Sequence, residues 1–580
     1  MSTTSGWSVK DPPEDDSAGL GSADQEVFEG EVVEDEGVLR PHETSRAGGG
    51  DLLGRVISDD ASPSFDQIRF RVQPSEAVSP GEFVTVEAHD RAGALTSWVL
   101  CRVLDVHEVN PHEDPLSSNV RDVLPFRSNY SPEGQSTVIY RLAECEPMEE
   151  LPALPGDDVG APTEVNTLPK AGALVRRPRP DVVITAMGFS PDPDEGLLVG
   201  ILHGMPTIPV VVDKVAVQRH IGIVGGIGSG KSYTRGVLGE ELHRLGVPQV
   251  NIDINGEMIK AAHQLGGSNL VPGKGFTLPL SSLTREDLLE AVTGVQKGTN
   301  YEVLIGYSFD FLQREIRQGQ RTSFTVADLV DMIGEQAPGL KMDQAATLKT
   351  AQMRVRALER MRFIGNQLDW QASLKPGAFL NIDCRGQLLG DLRIITAAVA
   401  RDLQSLAREK KIPFTVLSID EFHLVAPNDD KLVSTQVLRE IARIGRHYRL
   451  GLILTTQSPA DVDRSVLKRL LTRFVHTIEP DQLDALRGIF ADAPPEMIKM
   501  LPKLRQGTCV LTGVAETVRH ASLIDIRHRI TDHGGATPDV WSDLRQRGWT
   551  SKKSLNDIIT ELVEDIDGNA RDTAGGWDDI

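Results

Sequence analysis

Residues 220–242, HIGIVGGIGSGKSYTRGVLGEEL, place the tightest limit on what this chain can fold into. A short apolar run leads into Gly225-Gly226-Ile227-Gly228-Ser229-Gly230-Lys231-Ser232, the spacing GxxxxGK[ST], and a helix-forming stretch follows at once. Strand, glycine turn and helix in that order curl the backbone so that its N–H groups point inward at phosphate oxygens, with the positive end of the helix dipole behind them. Lys231 is expected to reach the β and γ phosphates and the Ser232 hydroxyl to ligate Mg2+; Tyr233, next on the helix, is grouped with the loop. The stretch predicts a nucleotide site. Alone it does not separate a kinase, a GTPase and a motor, which share this loop.

Such a loop needs a carboxylate for the metal and a group that activates water. In FTVLSIDEFH, Asp420 ends an apolar strand as a water-mediated Mg2+ ligand, and Glu421 follows as the candidate base. A further strand, LGLILTTQSP, ends in Thr455, Thr456 and Gln457. In a parallel sheet its carboxyl end lies beside the loop, where the Gln457 amide can sense the γ-phosphate or position water. Between these strands Arg439, Arg443, Arg446 and Arg449 recur at helical spacing. They form either a solvated basic face or, at Arg446, a finger that neutralises transition-state charge in a neighbouring subunit. The run TLKTAQMRVRALERMRF brings Lys349, Arg354, Arg356, Arg360 and Arg362 together, again as a solvated helix face or a nucleic-acid contact, with no aromatic interleaving.

Buried parallel strands are expected at HIGIVGG, PQVNIDI, GAFLNIDCR, FTVLSIDEF and LGLILTTQS, most with helical periodicity after them. The fold class is therefore α/β: a three-layer domain over 181–530 that carries the P-loop, with a helical insertion at about 283–375 where strands are scarce. Short β-rich runs between 49 and 150 predict a small N-terminal barrel, and 151–180 reads as a linker. Residues 1–48 read as an acidic disordered tail, either solubilising or docking, and 531–580 as a C-terminal helix and acidic tail. The net charge of −22 argues against nucleic acid only if it is evenly spread, and residues 11–36 hold acids with no Lys or Arg. No apolar stretch approaches the roughly 20 residues that span a bilayer. The N-terminus lacks the marks of a signal peptide, and the four cysteines lie far apart, so a cytoplasmic location is expected.

Together these residues resemble the HerA family of the HerA/FtsK ATPases, over roughly 50–530. DLLGRVIS, SPGEFVTVE and WVLCRVLDV are similar to that family's barrel, and His220 precedes the P-loop strand as it does there. NIDINGEM is similar to an Asp-x-x-Gly-Glu segment, here Asp253, Gly256 and Glu257. IDEFH, the Gly-Arg segment with the Gln strand, and LPKLRQGTCVLTG complete the match. The loop reads Gly-Gly-Ile-Gly where Gly-Ala/Thr-Thr-Gly is usual, and Phe422 replaces a small residue; neither removes a reacting group. The resemblance implies that this domain is a RecA-like P-loop motor in a homohexameric ring that hydrolyses ATP with Mg2+ and translocates double-stranded DNA through its pore, without a membrane. Its partner is expected to be a nuclease in DNA end processing or an effector in antiphage defence. Carried over, Lys231 and Ser232 bind phosphate and Mg2+, Asp420 supports the metal, Glu421 is catalytic, Gln457 senses and Arg446 acts in trans. Two other readings stand beside this one: an ATP-gated ring that organises an effector with little translocation, and a conjugation- or secretion-type ATPase.

Overall fold

The computed structural model describes residues 50–58, 62–109, 140–154, 159–292, 298–428, 432–487, 493–513, 517–534 and 544. The tail expected at 1–48 and the helix expected at 554–566 lie outside the described residues.

Six strands form a closed antiparallel barrel in the order β1-β2-β5-β4-β3-β6. They are β1 (Leu52–Val56), β2 (Ile68–Val72), β3 (Phe83–His89), β4 (Leu95–Val109), β5 (Tyr140–Pro152) and β6 (Leu174–Arg176). The alternation in IRFRV shows why. Ile68, Phe70 and Val72 are buried in the barrel, while Arg69 and Arg71 point outward. Val84, Val86, Val99, Cys101, Ala143 and Cys145 fill the same core, and burial pushes both thiols up. All four cysteines are buried free thiols. The stretch 151–180 is not a simple linker. Its residues 174–176 supply β6, the strand that pairs with both β1 and β3 and closes the barrel. Three residues are too few to carry a periodic signal, so only tertiary pairing reveals them.

The described residues beyond the barrel carry one twelve-stranded sheet. Its strands are β7 (Gly196–Leu202), β8 (Met205–Asp213), β9 (Ile221–Val224), β10 (Gln249–Asp253), β11 (Ser268–Pro272), β12 (Gly275–Phe276), β13 (Phe379–Asp383), β14 (Thr415–Ile419), β15 (Leu450–Thr456), β16 (Thr472–Val475), β17 (Thr508–Thr512) and β18 (Ser522–Ile526). The spatial order is β12-β11-β13-β10-β14-β15-β9-β16-β17-β18-β7-β8. From β11 to β16 neighbours run parallel; from β17 to β8 they run antiparallel. Strands β9, β10, β13, β14 and β15 are buried along their whole length, as expected of parallel strands covered on both faces.

Between β12 and β13 the described chain is helical: Arg285–Ala291, Asn300–Arg317, Val326–Gln336, Ala345–Arg356 and Trp370–Ser373. Capping boxes at Thr284/Asp287 and Thr325/Asp328 start two of these helices. Leu304, Ile305, Phe309, Leu329 and Ile333 join the core of the parallel sheet, so this helical unit is packed on the motor domain. The barrel is anchored as well. Phe83, Leu100 and Leu151 enter the core around β7 and β8, and Arg102 donates to the Ala521 carbonyl at 2.6 Å.

Beyond β18 the segment 527–534 crosses the helix Lys231–Arg244. Glu240 on that helix accepts from the amides of Ile530 and Thr531, from the Thr531 hydroxyl at 2.6 Å and from Arg527 at 2.9 Å. Thr531 is buried, so the motor domain continues past the expected boundary at 531. Among the described residues no helix is long and apolar enough to cross a membrane.

Candidate active site

Strand β9 delivers the loop to the carboxyl edge of the sheet, between β15 and β16. A Cβ on Gly225 would lie 2.6 Å from Ser229 Oγ and 2.7 Å from His476 Cβ, so only glycine fits there. Gly228 and Gly230 have φ of 72° and 112°, conformations that favour glycine. The Gly226 amide donates to the Thr477 carbonyl at 2.7 Å, and Ser229 Oγ donates to the Gly226 carbonyl at 2.8 Å. Ile227 stands at the tip, 89% exposed. Gly230 caps the following helix with no side chain, leaving its first-turn amides for an anion.

Lys231, the first residue of that helix, is buried and folds its ammonium onto the Gly226 carbonyl at 2.8 Å. Burial pulls its pKa down, and Glu421, Asp420 and Glu257 oppose that shift. Ser232 is half-buried in the same turn. Tyr233 turns elsewhere: its hydroxyl accepts from the Arg529 amide at 2.7 Å, and its ring packs against His533. The side chain grouped with the loop thus belongs to the contact with the 527–534 segment. Arg529 itself lies over Gly236, where a Cβ would come within 2.2 Å of its Cζ.

Two strands along from β9, β14 brings Asp420 to the same edge, 1% exposed. Its Oδ1 accepts from the Glu421 amide at 3.0 Å, its Oδ2 from Asn255 Nδ2 at 3.3 Å. Burial raises the pKa of Asp420 and the Arg235 guanidinium, 3.5 Å from its Oδ2, opposes the rise. Glu421 has φ 41° and ψ 49°, a left-handed conformation that costs a non-glycine residue about 1–3 kcal/mol. The turn aims its carboxylate inward. Burial, then the neighbouring Asp420, push its pKa up to about 7, against the pull of Lys231 and of a hydrogen bond from the Gln457 amide. Its Oε2 is buried without a hydrogen-bond partner. His423 Nδ1 lies 3.4 Å from that oxygen, but burial holds His423 below its ordinary value, so it is neutral near pH 7.

β15 lies between β14 and β9, and Gln457 follows its last residue, half-buried beside both. Lys231, Asp420, Glu421 and Gln457 therefore meet at one edge. Arg446 does not join them. It lies in the 3-10 turn Gly445–Tyr448, ahead of the amino end of β15, about 20 Å of strand from the P-loop edge; its side chain falls outside the description. Of the other arginines at that spacing, Arg439 pairs with Asp463.

Two groups escaped the sequence reading, and a third entered it only through the resemblance. Arg235, one turn beyond Lys231, reaches under the sheet edge to Ser418 Oγ at 3.0 Å and to Asp420 and Asp253. Its signal was the i, i+4 spacing from Lys231, which puts both on one helix face. His476, just past β16, is fully buried beneath the loop with Nε2 2.9 Å from Thr234 Oγ1, and burial drives its pKa down to about 3. It is a neutral prop. Asp253, noted only through the resemblance, accepts from the amides of Gly256, Glu257 and Met258 at 3.0–3.1 Å and so shapes the turn that carries Glu257. Glu257 Oε2 is buried without a hydrogen-bond partner.

A nucleoside triphosphate with Mg2+ suits this arrangement: a helix start with no side-chain cap, a buried lysine held against the loop, and an unpartnered carboxylate oxygen on Glu421.

The family profile described as helicase HerA, central domain, matches residues 197–403. The DNA double-strand break repair helicase HerA of Sulfolobus acidocaldarius is 22% identical over 403 residues, 66% of this chain and 79% of its own. That of Pyrococcus furiosus is 21% identical over 508 residues, 78% and 88% of the two chains. Among solved structures, VirB4 of Thermoanaerobacter pseudethanolicus aligns with a TM-score of 0.48 at 16% identity, over 58% of this chain and 96% of its own. Plasmid coupling protein TrwB with ADP and Mg2+ aligns at 0.42 and 16%, over 57% and 89%. With its P-loop and the match to helicase HerA, the chain is similar to the HerA family of P-loop ATPases and is an ATPase of the helicase type.

Proposed function

We propose that this chain hydrolyses ATP with Mg2+ and uses the energy to drive double-stranded DNA through a homohexameric ring, working with a nuclease or another effector protein in DNA end processing or antiphage defence. The observation that carries the reading is the strand order β14-β15-β9, which gathers Glu421, Gln457 and Lys231 at one sheet edge. Residues 225–230 would cradle the phosphates, with Lys231 neutralising charge on the β and γ groups. Ser232 and Asp420 would hold Mg2+, which supplies charge neutralisation at the phosphates when bound. Glu421, at about 7, is poised to accept a proton from an attacking water near neutral pH. Gln457 would orient that water or sense the γ-phosphate. The DNA substrate is suggested by the relatives named as DNA repair helicases.

Lys231→Ala is expected to weaken nucleotide binding by about 10- to 100-fold, the worth of one charge-assisted hydrogen bond. Titration of a fluorescent ATP analogue measures this; undiminished affinity would remove Lys231 from the phosphate site.

The position of Arg446 supports a role in trans, because its own P-loop lies at the far edge of the sheet. Mixing Arg446→Ala chains with Lys231→Ala chains is expected to restore part of the ATPase activity that each lacks alone. Mixed rings confirmed by mass and showing no rescue at any ratio would exclude a finger at Arg446. For the whole reading, displacement of a protein roadblock from duplex DNA is the test. An ATP-gated scaffold would activate its effector and leave the roadblock in place; a polypeptide-moving ATPase would show no stimulation by DNA.

A further inference from the structure

The helix Ala345–Arg356 divides sharply into two faces. Ala351 and Val355, with Leu358 in the turn that follows, are buried in the core of the parallel sheet, and Gln352 donates to the Val330 carbonyl at 3.1 Å. That anchored face fixes what the other presents. Lys349, Met353 and Arg356, at i, i+4 and i+7, are exposed on one side, and Arg360 and Arg362 extend the exposed cations into the next turns. Arg354, which the spacing groups with them, is instead stacked over the Tyr301 ring at 4.7 Å.

The outward cations are uncompensated. Among the described residues, Lys349, Arg356, Arg360 and Arg362 pair with no carboxylate, and the neighbouring Glu359 pairs with none of them. Like charges following one another along one exposed stretch repel one another unless an anion covers them.

We infer that this stripe is a contact surface for the phosphate backbone of duplex DNA, outside the nucleotide site; the inference rests on the proposed DNA substrate. Charge complementarity selects this occupant. A protein partner needs a desolvated apolar centre, and the stripe offers only Met353, 64% exposed. Phosphates need cations on a firm support and no apolar area. Such a contact positions the duplex without reading its sequence, which suits a protein that moves along DNA.

The test uses the full-length protein, a non-hydrolysable ATP analogue and a fluorescein-labelled duplex of mixed sequence, followed by anisotropy at several salt concentrations. The variant carrying Lys349→Glu, Arg356→Glu and Arg360→Glu is expected to bind at least about tenfold more weakly. Its slope of log K against log salt should be shallower by about 3, near 0.9 per lost phosphate contact. ATPase activity without DNA should be unchanged, since none of the three touches the site. The charge-conserving pair Arg356→Lys and Arg360→Lys should bind as the parent does. Equal affinity and slope in the reversed variant would overturn the proposal, and so would weakened binding in the charge-conserving pair. A change in assembly mass with unaltered DNA affinity would make the stripe a contact between subunits, also against it. If the reversed variant fails to fold, the Gln versions of the same three residues take its place. Failure of the parent protein to bind duplex DNA would defeat the proposed substrate, a distinct result.

Discussion

Glu421→Gln is expected to bind ATP as tightly as the parent protein and to turn it over about 10²- to 10⁴-fold more slowly, the usual range for loss of a positioned general base. The substitution keeps the shape of the side chain, and its amide oxygen can still accept the hydrogen bond from the Gln457 backbone. What it removes is the proton acceptor. The unpartnered Oε2 becomes part of a neutral group with a pKa far from the working range. Removing that carboxylate also takes one negative charge away from Lys231, which favours rather than hinders phosphate binding. Analogue titration and single-turnover kinetics separate the two effects. Turnover within a few-fold of the parent would show that another group activates water.

Arg235→Ala is expected to cost about 3–5 kcal/mol of stability, because it strands buried carboxylates that now share one cation. The guanidinium lies 3.5 Å from Asp420 and 3.8 Å from Asp253, and neither aspartate is more than 1% exposed. It also donates to Ser418 Oγ and, at 3.3 Å, to the Ile252 carbonyl, so both are left short of a donor. With the cation gone, like-charge repulsion and burial would together favour protonation of Asp420, and Mg2+-dependent nucleotide binding should weaken alongside. Thermal unfolding followed by circular dichroism should show a midpoint lower by about 3–5 °C. An unchanged midpoint would mean that Arg235 contributes nothing net at this position.

The reach of the sequence followed the range of the interactions involved. The loop at 225–232 was legible because its strand, glycines and helix are contiguous, and Asp420, Glu421 and Gln457 because each follows an apolar run at a strand end. What joins distant segments stayed hidden. The i, i+4 spacing from Lys231 puts Arg235 on the face of the helix that carries Lys231, but its role beneath Asp420 depends on β10 and β14 being neighbours, which is a matter of strand order. His476 looks like any polar residue after a strand until β16 is seen lying against β9. The antiparallel half of the sheet likewise depends on β18 pairing with β7, more than 300 residues apart. Arg446 shows the opposite case. Its spacing was plain in the sequence, and the structure adds that it stands far from the site of its own chain.

The order in which the barrel's staves occur along the chain bears on its birth at the ribosome. Five of them have been synthesised once Pro152 is made, yet β1 and β3 each keep an open edge until Leu174–Arg176 arrives to pair with both. An emerging chain therefore carries two unpaired strand margins for the duration of some twenty further residues, a state in which strands readily pair with the wrong partner. A nascent barrel of this connectivity is sealed from its downstream side, by the same stretch of chain that hands over to the ATPase.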